Sequence, residues 1–465
     1  MIWAIILAPF LIALWWKILQ RWQRGIRMLL VYMPFAGVVT LALYPSVVPL
    51  LFKDLFFVIP TFVAALVSKR AVGNAPKVQL SVFLFILALT TLVVIQMFNP
   101  NVFNWLVALI GAKVWLMYLP MLFLGFRMIE TQADLVSLLR LMVAISWIPC
   151  GIGLFQWISS IVFGYEATMA LFYGAAAGAA TQGFASFDVG GTFFRIPSTF
   201  TFVTQYFGFT LAMIPAAYAL SKLDPSPRWQ VLSNAAFWFT ILASFLSGSR
   251  SAYLFVPILL IFLYAFDGRI SGLLQLLAIS PLVLIGALYF GNIDPYVMFD
   301  LMVELTTDYS RDIAYKGLAD AIQNVPWGLG TGMNTGAARY GLDEPELFEA
   351  FENFYAKVVY ELGVVGLVIV ASLFTAIVAR GWRTVRQARS RGVRGCAAAL
   401  LAFIVMISLN SFKGWILDID PINVYFWLFV GIMLKLEYLP EPEPIVLRAT
   451  ATGAPIGART RPAGF

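Results

Sequence analysis

The chain has 465 residues, of which 61% are apolar and only 12% charged. A water-soluble domain is usually about half apolar and about a quarter charged, so a soluble fold of this size would have nowhere to hide so much apolar surface. The formal charge of +7 does not point to nucleic acid, because the basic residues lie between apolar blocks, the arrangement that sets orientation in a bilayer.

Taken in chain order, the apolar blocks fall at about 2–19, 28–45, 54–68, 79–97, 104–125, 135–162, 199–220, 231–247, 251–266, 271–290, 355–379, 396–413 and 422–437. Their lengths are close to what crosses a bilayer as a helix, and only helices satisfy their own backbone there. The pattern predicts an all-α polytopic membrane protein with about 12–13 transmembrane helices. Residues 1–439 form the helical domain, and 440–465, rich in Pro, Ala, Gly and Arg, a disordered cytoplasmic tail. The first block starts without a basic stretch and is expected to be a span, not a cleaved leader.

Orientation follows from lysine and arginine. The cluster Arg380, Arg383, Arg386, Arg389, Arg391 and Arg394 is placed in the cytoplasm, and alternation then puts 22 of the 31 basic residues on that side. Two loops on the outer side are long. The first, about 164–198, is rich in Gly and Ala. The second, about 291–353, holds eleven acidic residues against Arg311, Lys316 and Arg339. In the second, Ser310 is expected to cap an amphipathic helix through 311–322 lying on the outer membrane surface. A turn-rich stretch, Pro326-Trp327-Gly328-Leu329-Gly330-Thr331-Gly332, follows it.

Histidine is absent, which excludes histidine bases, ligands and triads. The two cysteines, Cys150 and Cys396, sit in apolar blocks and offer neither a disulfide framework nor a metal site. What remains is charge in unexpected places: Lys53, Lys113, Arg195, Arg250, Arg311, Lys316, Arg339, Lys357 and Lys413 fall outside the cytoplasmic set. Charge near or within a span is costly and points to function. Arg250, in Leu246-Ser247-Gly248-Ser249-Arg250-Ser251, sits on a turn between two spans that needs no arginine. A planar guanidinium suits a phosphate or diphosphate; the plain alternative is an arginine snorkelling to the headgroups. Arg311, between Asp308 and Asp312, reads by itself as a local ion pair on a surface helix. Lys113 reads as a compensated core charge or a substrate contact. Glu352 begins a span, where the helix dipole favours a carboxylate in any case. The glycines at 328, 330 and 332 do not follow a strand, so they carry little weight as a phosphate loop.

Four segments together resemble one family. They are Arg195-Ile196-Pro197-Ser198-Thr199-Phe200, Ser247-Gly248-Ser249-Arg250-Ser251, Ser310-Arg311-Asp312 with Pro326-Trp327-Gly328-Leu329-Gly330, and Glu352-Asn353-Phe354-Tyr355 with Glu361-Leu362-Gly363-Val364-Val365-Gly366-Leu367. In this order they are similar to elements of the O-antigen ligase and Wzy-type polysaccharide polymerase superfamily. Ser198 stands where that family usually has glycine. The resemblance implies a GT-C-like glycosyltransferase at the outer face of a bacterial inner membrane. Its donor would be an undecaprenyl diphosphate-linked saccharide, with no cofactor, no metal and no nucleic acid, and a chain-length regulator is a candidate partner. It implies donor diphosphate binding by Arg250 and Arg311, with Arg195 as a further candidate. Ligases carry a histidine just before the asparagine of the last element. Glu352 stands there instead, which favours a polymerase with Glu352 as base. Asn353, Tyr355, Arg339 and Lys113 are candidate sugar or acceptor contacts. Three readings compete: a ligase transferring to lipid A-core or protein, a transporter or flippase whose embedded charges, Lys113 and Lys413 included, line a route, and a structural membrane subunit of an export complex. A transporter would be expected to show matching halves, and the sequence has no such symmetry.

Overall fold

A computed structural model describes residues 2–46, 48–68, 77–188, 192–269, 271–272, 274, 294–303, 307, 315–336, 353–388 and 390–439. Every apolar block forms helix except 271–290, most of which lies outside these residues. In chain order the helices are α1 (Ile2–Gln20), α2 (Trp22–Tyr32), α3 (Ala36–Ala42), α4 (Ile59–Val67), α5 (Leu80–Gln96), α6 (Trp105–Leu116), α7 (Pro120–Met128), α8 (Gln132–Phe163), α9 (Tyr165–Tyr173), α10 (Ala177–Thr181), α11 (Val203–Leu223), α12 (Pro227–Leu246), α13 (Arg250–Asp267), α14 (Pro295–Val303), α15 (Lys316–Asn324), α16 (Phe354–Gln387), α17 (Arg391–Asn410) and α18 (Ile422–Leu436). Among the described residues, eight helical segments are long and apolar enough to cross a membrane, and three shorter apolar helices accompany them. The chain is an all-α, multi-pass membrane protein.

The ends of the blocks move for physical reasons. The predicted block 355–379 continues to Gln387, and 396–413 begins at Arg391. Arginine is a good helix former, so the basic cluster extends these helices beyond the apolar stretch. Side-chain caps set several starts: Asn104 on α6, the Thr131–Asp134 capping box on α8, Asn353 on α16 and Ser390 on α17.

α11 is the core of the bundle. Nearly all of its residues are buried, and it packs against α8, α12 and α17. Small residues elsewhere let backbones approach closely. A Cβ on Gly431 of α18 would lie 2.0 Å from the Leu122 carbonyl oxygen of α7, and one on Gly125 would lie 2.5 Å from that of Leu428. Dispersion between close backbones is what holds helices together where lipid removes the hydrophobic drive.

The 164–198 loop is more ordered than its composition suggested. It contains α9, α10 and an antiparallel hairpin, β1 (Ser186–Asp188) with β2 (Thr192–Phe194). In the second loop, α15 corresponds to the later part of the expected 311–322 helix. Its Ala321 packs with Ala356 and Val359 of α16, so this face rests on protein where a membrane surface had been expected. The tail 440–465 lies outside the described residues.

Candidate functional site

Two segments far apart in sequence are stitched together at the helix ends opposite the arginine cluster. The backbone N–H of Ile196 donates to the Ser247 carbonyl at 3.0 Å. Gly248 has φ +67°, and a Cβ there would lie 2.0 Å from the Phe194 carbonyl oxygen and 3.2 Å from Arg195 Cα. Only glycine permits both that conformation and that approach. The turn between α12 and α13 thus lies directly on the end of β2, which brings Arg195 beside Arg250. The Tyr165 hydroxyl fixes the β2 side by donating to the Arg195 carbonyl at 2.7 Å, and its ring stacks on Phe194.

The electrostatics of this corner oppose the usual rules. Arg195 is half-buried and donates to the Gln182 side chain. Burial, and then the positive charge of Arg250, pull its guanidinium below the ordinary arginine range. Arg250 is the first residue of α13, where the helix dipole favours an acid. The N-cap Ser249 makes no side-chain cap hydrogen bond. The two guanidiniums therefore repel each other at a helix start whose N-cap side chain makes no cap hydrogen bond. An anion at this point would relieve that repulsion and use the helix N-terminus as well.

Ser198 occupies a position that calls for glycine, with φ +54°. Its hydroxyl donates to the Pro149 carbonyl at 2.6 Å, and its N–H donates to Gln156 Oε1 at 3.0 Å. Those bonds offset the strain of the left-handed backbone. They explain how serine replaces glycine in the Arg195–Phe200 element.

The start of α16 is anchored on α17. Phe354 N–H donates to the Ser411 carbonyl at 3.0 Å, and the Tyr355 hydroxyl to the Ser408 carbonyl at 2.8 Å. Asn353 is buried, and its Oδ1 accepts from Tyr355 N–H at 2.8 Å. In the structure, Asn353 and Tyr355 are thus engaged in building the helix start. Glu352, Arg311 and Arg339 lie outside the described residues.

Sequence reasoning missed the part played by Glu361. Its buried carboxylate accepts from Trp115 Nε1 at 2.7 Å, Gly332 N–H at 3.0 Å, Asn334 N–H at 2.9 Å and Thr335 Oγ1 at 2.9 Å. α16 breaks at Gly363, with φ 76° and ψ −179°, and the glycine-rich turn seats in that break. A Cβ on Gly328 would lie 2.7 Å from Gly363 N, and one on Gly332 would lie 2.2 Å from the Val107 carbonyl oxygen. Close packing accounts for these glycines without any phosphate. The signal was present in the sequence: an acid, then glycine two residues on, inside an otherwise apolar span.

Three other lysines that fall outside the basic clusters are paired with aspartates. Lys113 reaches Asp54 at 2.6 Å, Lys53 reaches Asp54 at 3.2 Å and Asp420 at 3.1 Å, and Lys357 pairs with Asp418 and lies 4.9 Å from the centre of the Trp115 ring. Buried charges held this way serve the architecture, and the Lys113 contact is with Asp54. Among the described residues, no group of three or more His, Cys, Asp or Glu side chains is placed to hold a metal ion.

The family model described as O-antigen ligase matches residues 235–371. The match takes in the later part of α12, α13 with Arg250, residues 291–353 and the first half of α16. It leaves Arg195 and the hairpin outside. No curated protein matches the chain.

Proposed function

We propose that this chain, which carries an O-antigen ligase-family domain at residues 235–371, is a polymerase-type glycosyltransferase of surface polysaccharide synthesis. It would transfer a glycan from an undecaprenyl diphosphate-linked donor to a lipid-linked acceptor at the outer face of a bacterial inner membrane. The observation that carries this reading is the pair Arg195 and Arg250, held together by the Gly248 contact at the uncapped start of α13. A site that gathers positive charge against the helix dipole is suited to a diphosphate leaving group.

The chemistry is substitution at the anomeric carbon. The bond from that carbon to the diphosphate oxygen breaks, and the bonding pair leaves with the diphosphate. Fixed guanidinium charge in a water-poor setting stabilises the charge that develops there, which is where such groups act most strongly. The acceptor hydroxyl oxygen forms the new bond, and its proton passes to a carboxylate. Glu352, directly before the anchored Asn353 in sequence, is assigned that role, and Arg311 is assigned to the diphosphate with Arg250. A chain without histidine favours polymerisation with a carboxylate base over ligase chemistry. The ion-paired lysines weigh against a transport route.

The test is Arg250→Ala in cells lacking the chromosomal copy. Polymer should disappear while lipid-linked repeat units still reach the outer face. Repeat units trapped on the cytoplasmic side would instead identify a flippase.

A further inference from the structure

A third cation comes to this corner from a third element. Lys413 lies on the connection from α17 to α18, and its ammonium donates to Ser251 Oγ at 2.6 Å. Ser251 is the second residue of α13 and the neighbour of Arg250. The connection is itself fixed. Lys413 N–H donates to the Asn410 carbonyl at 2.9 Å, Ser411 accepts from Phe354, and the rings of Phe412 and Tyr355 lie 4.4 Å apart. The hairpin therefore delivers Arg195, the α12–α13 turn delivers Arg250, and the α17–α18 connection delivers Lys413, all to the start of one helix.

We propose that Lys413 binds the donor's diphosphate alongside Arg250, and that Ser251 is the residue that positions its ammonium. This deepens the proposed function and rests on it. The chemistry is specific. Arginine offers a planar fork to one phosphate, whereas lysine offers a compact charge with three donors, one of which Ser251 orients. A diphosphate has more charge and more acceptor oxygens than a single phosphate, so cations from separate elements favour it over a phosphate monoester. The same connection holds the start of α16, next in sequence to Glu352. Through it the leaving-group site is joined to the helix that follows the proposed base in sequence.

The experiment uses the full chain in lipid nanodiscs at low ionic strength and titrates inorganic diphosphate and, separately, inorganic phosphate. Lys413→Met should weaken diphosphate binding about tenfold, or about 1.4 kcal/mol, and weaken phosphate binding much less. Lys413→Arg should bind diphosphate within about threefold of the wild-type chain, which a purely packing role for the lysine would not produce. Ser251→Ala should lose about threefold, and Ser251→Thr, which keeps the hydroxyl, should restore it. Unchanged diphosphate binding in Lys413→Met, with Arg250→Gln binding lost, overturns this inference and leaves the proposed function standing. Unchanged binding in both Arg250→Gln and Arg195→Gln removes the proposed function itself. If Lys413→Met does not fold, the Ser251→Ala and Ser251→Thr pair decides: equal binding by the two overturns the assignment.

Discussion

Gly248 contributes no functional group, so Gly248→Ala tests whether geometry alone makes the site. The added Cβ would lie 2.0 Å from the Phe194 carbonyl oxygen and 2.7 Å from its carbon. Both are backbone atoms and cannot swing aside like the end of a side chain. Relief requires β2 and the α12–α13 turn to part by about 1 Å, since carbon needs about 3 Å or more from an oxygen. The left-handed backbone at φ +67° adds about 1–2 kcal/mol for any residue with a Cβ. Losing the bond from Ile196 to Ser247 adds about 1 kcal/mol. The total is about 2–3 kcal/mol of stability, and a displacement of about 1 Å between Arg195 and Arg250 should lower transfer about a hundredfold. The assay is glycan length on gels from complemented cells, with thermal unfolding of the purified protein beside it. Gly178→Ala is the control, because a Cβ there meets nothing within 4 Å. Wild-type polymer from Gly248→Ala, at equal expression, would refute the claim that this contact sets the distance between the two arginines.

Ser198→Ala keeps the strained φ and loses the hydroxyl bond to Pro149, so it should cost about 1–2 kcal/mol in thermal unfolding. Ser198→Gly loses the bond but also the strain, and should unfold close to the wild-type temperature. Glu361→Gln leaves one acceptor oxygen and a new donor facing four donors, and should cost about 2–4 kcal/mol by the same measurement, releasing the glycine turn. Asp224, on the turn between α11 and α12, is pushed up by burial, but hydrogen bonds from Arg140 and Ser226 outweigh this and hold its carboxyl below the ordinary aspartate range. A depressed folded pKa contributes stability above the unfolded value of about 3.9, lost as pH falls through the folded value. The melting temperature should therefore drop in acid below about pH 4, and Arg140→Gln should shrink that drop.

The spans were legible because a run of apolar residues in lipid has one outcome, helix, whatever its neighbours do. The helix ends beyond Ala379 and before Cys396 were not, because arginines end the apolar run while still favouring helix. The β1–β2 hairpin left no periodic signal: each strand is three residues long and set among glycines. At the site, Arg250 stood out because charge on a tight turn between spans has no local excuse. That it meets Arg195 did not, since 55 positions separate them and the link is a backbone contact at Gly248. Lys113 shows the reverse case. It was conspicuous in the sequence, but Asp54, which pairs with it, is 59 positions away. The break at Gly363 was masked by the apolar run on either side of it.

The most direct measurement is release of lipid diphosphate from a lipid-linked saccharide donor by the purified chain in nanodiscs, supplied with a lipid-linked acceptor. Wild type is compared with Arg250→Gln and Arg250→Lys at equal folding. With the arginine pair stabilising the leaving group, Arg250→Gln should be slower by about a hundredfold or more, and Arg250→Lys intermediate. Release by Arg250→Gln at the wild-type rate would contradict the account.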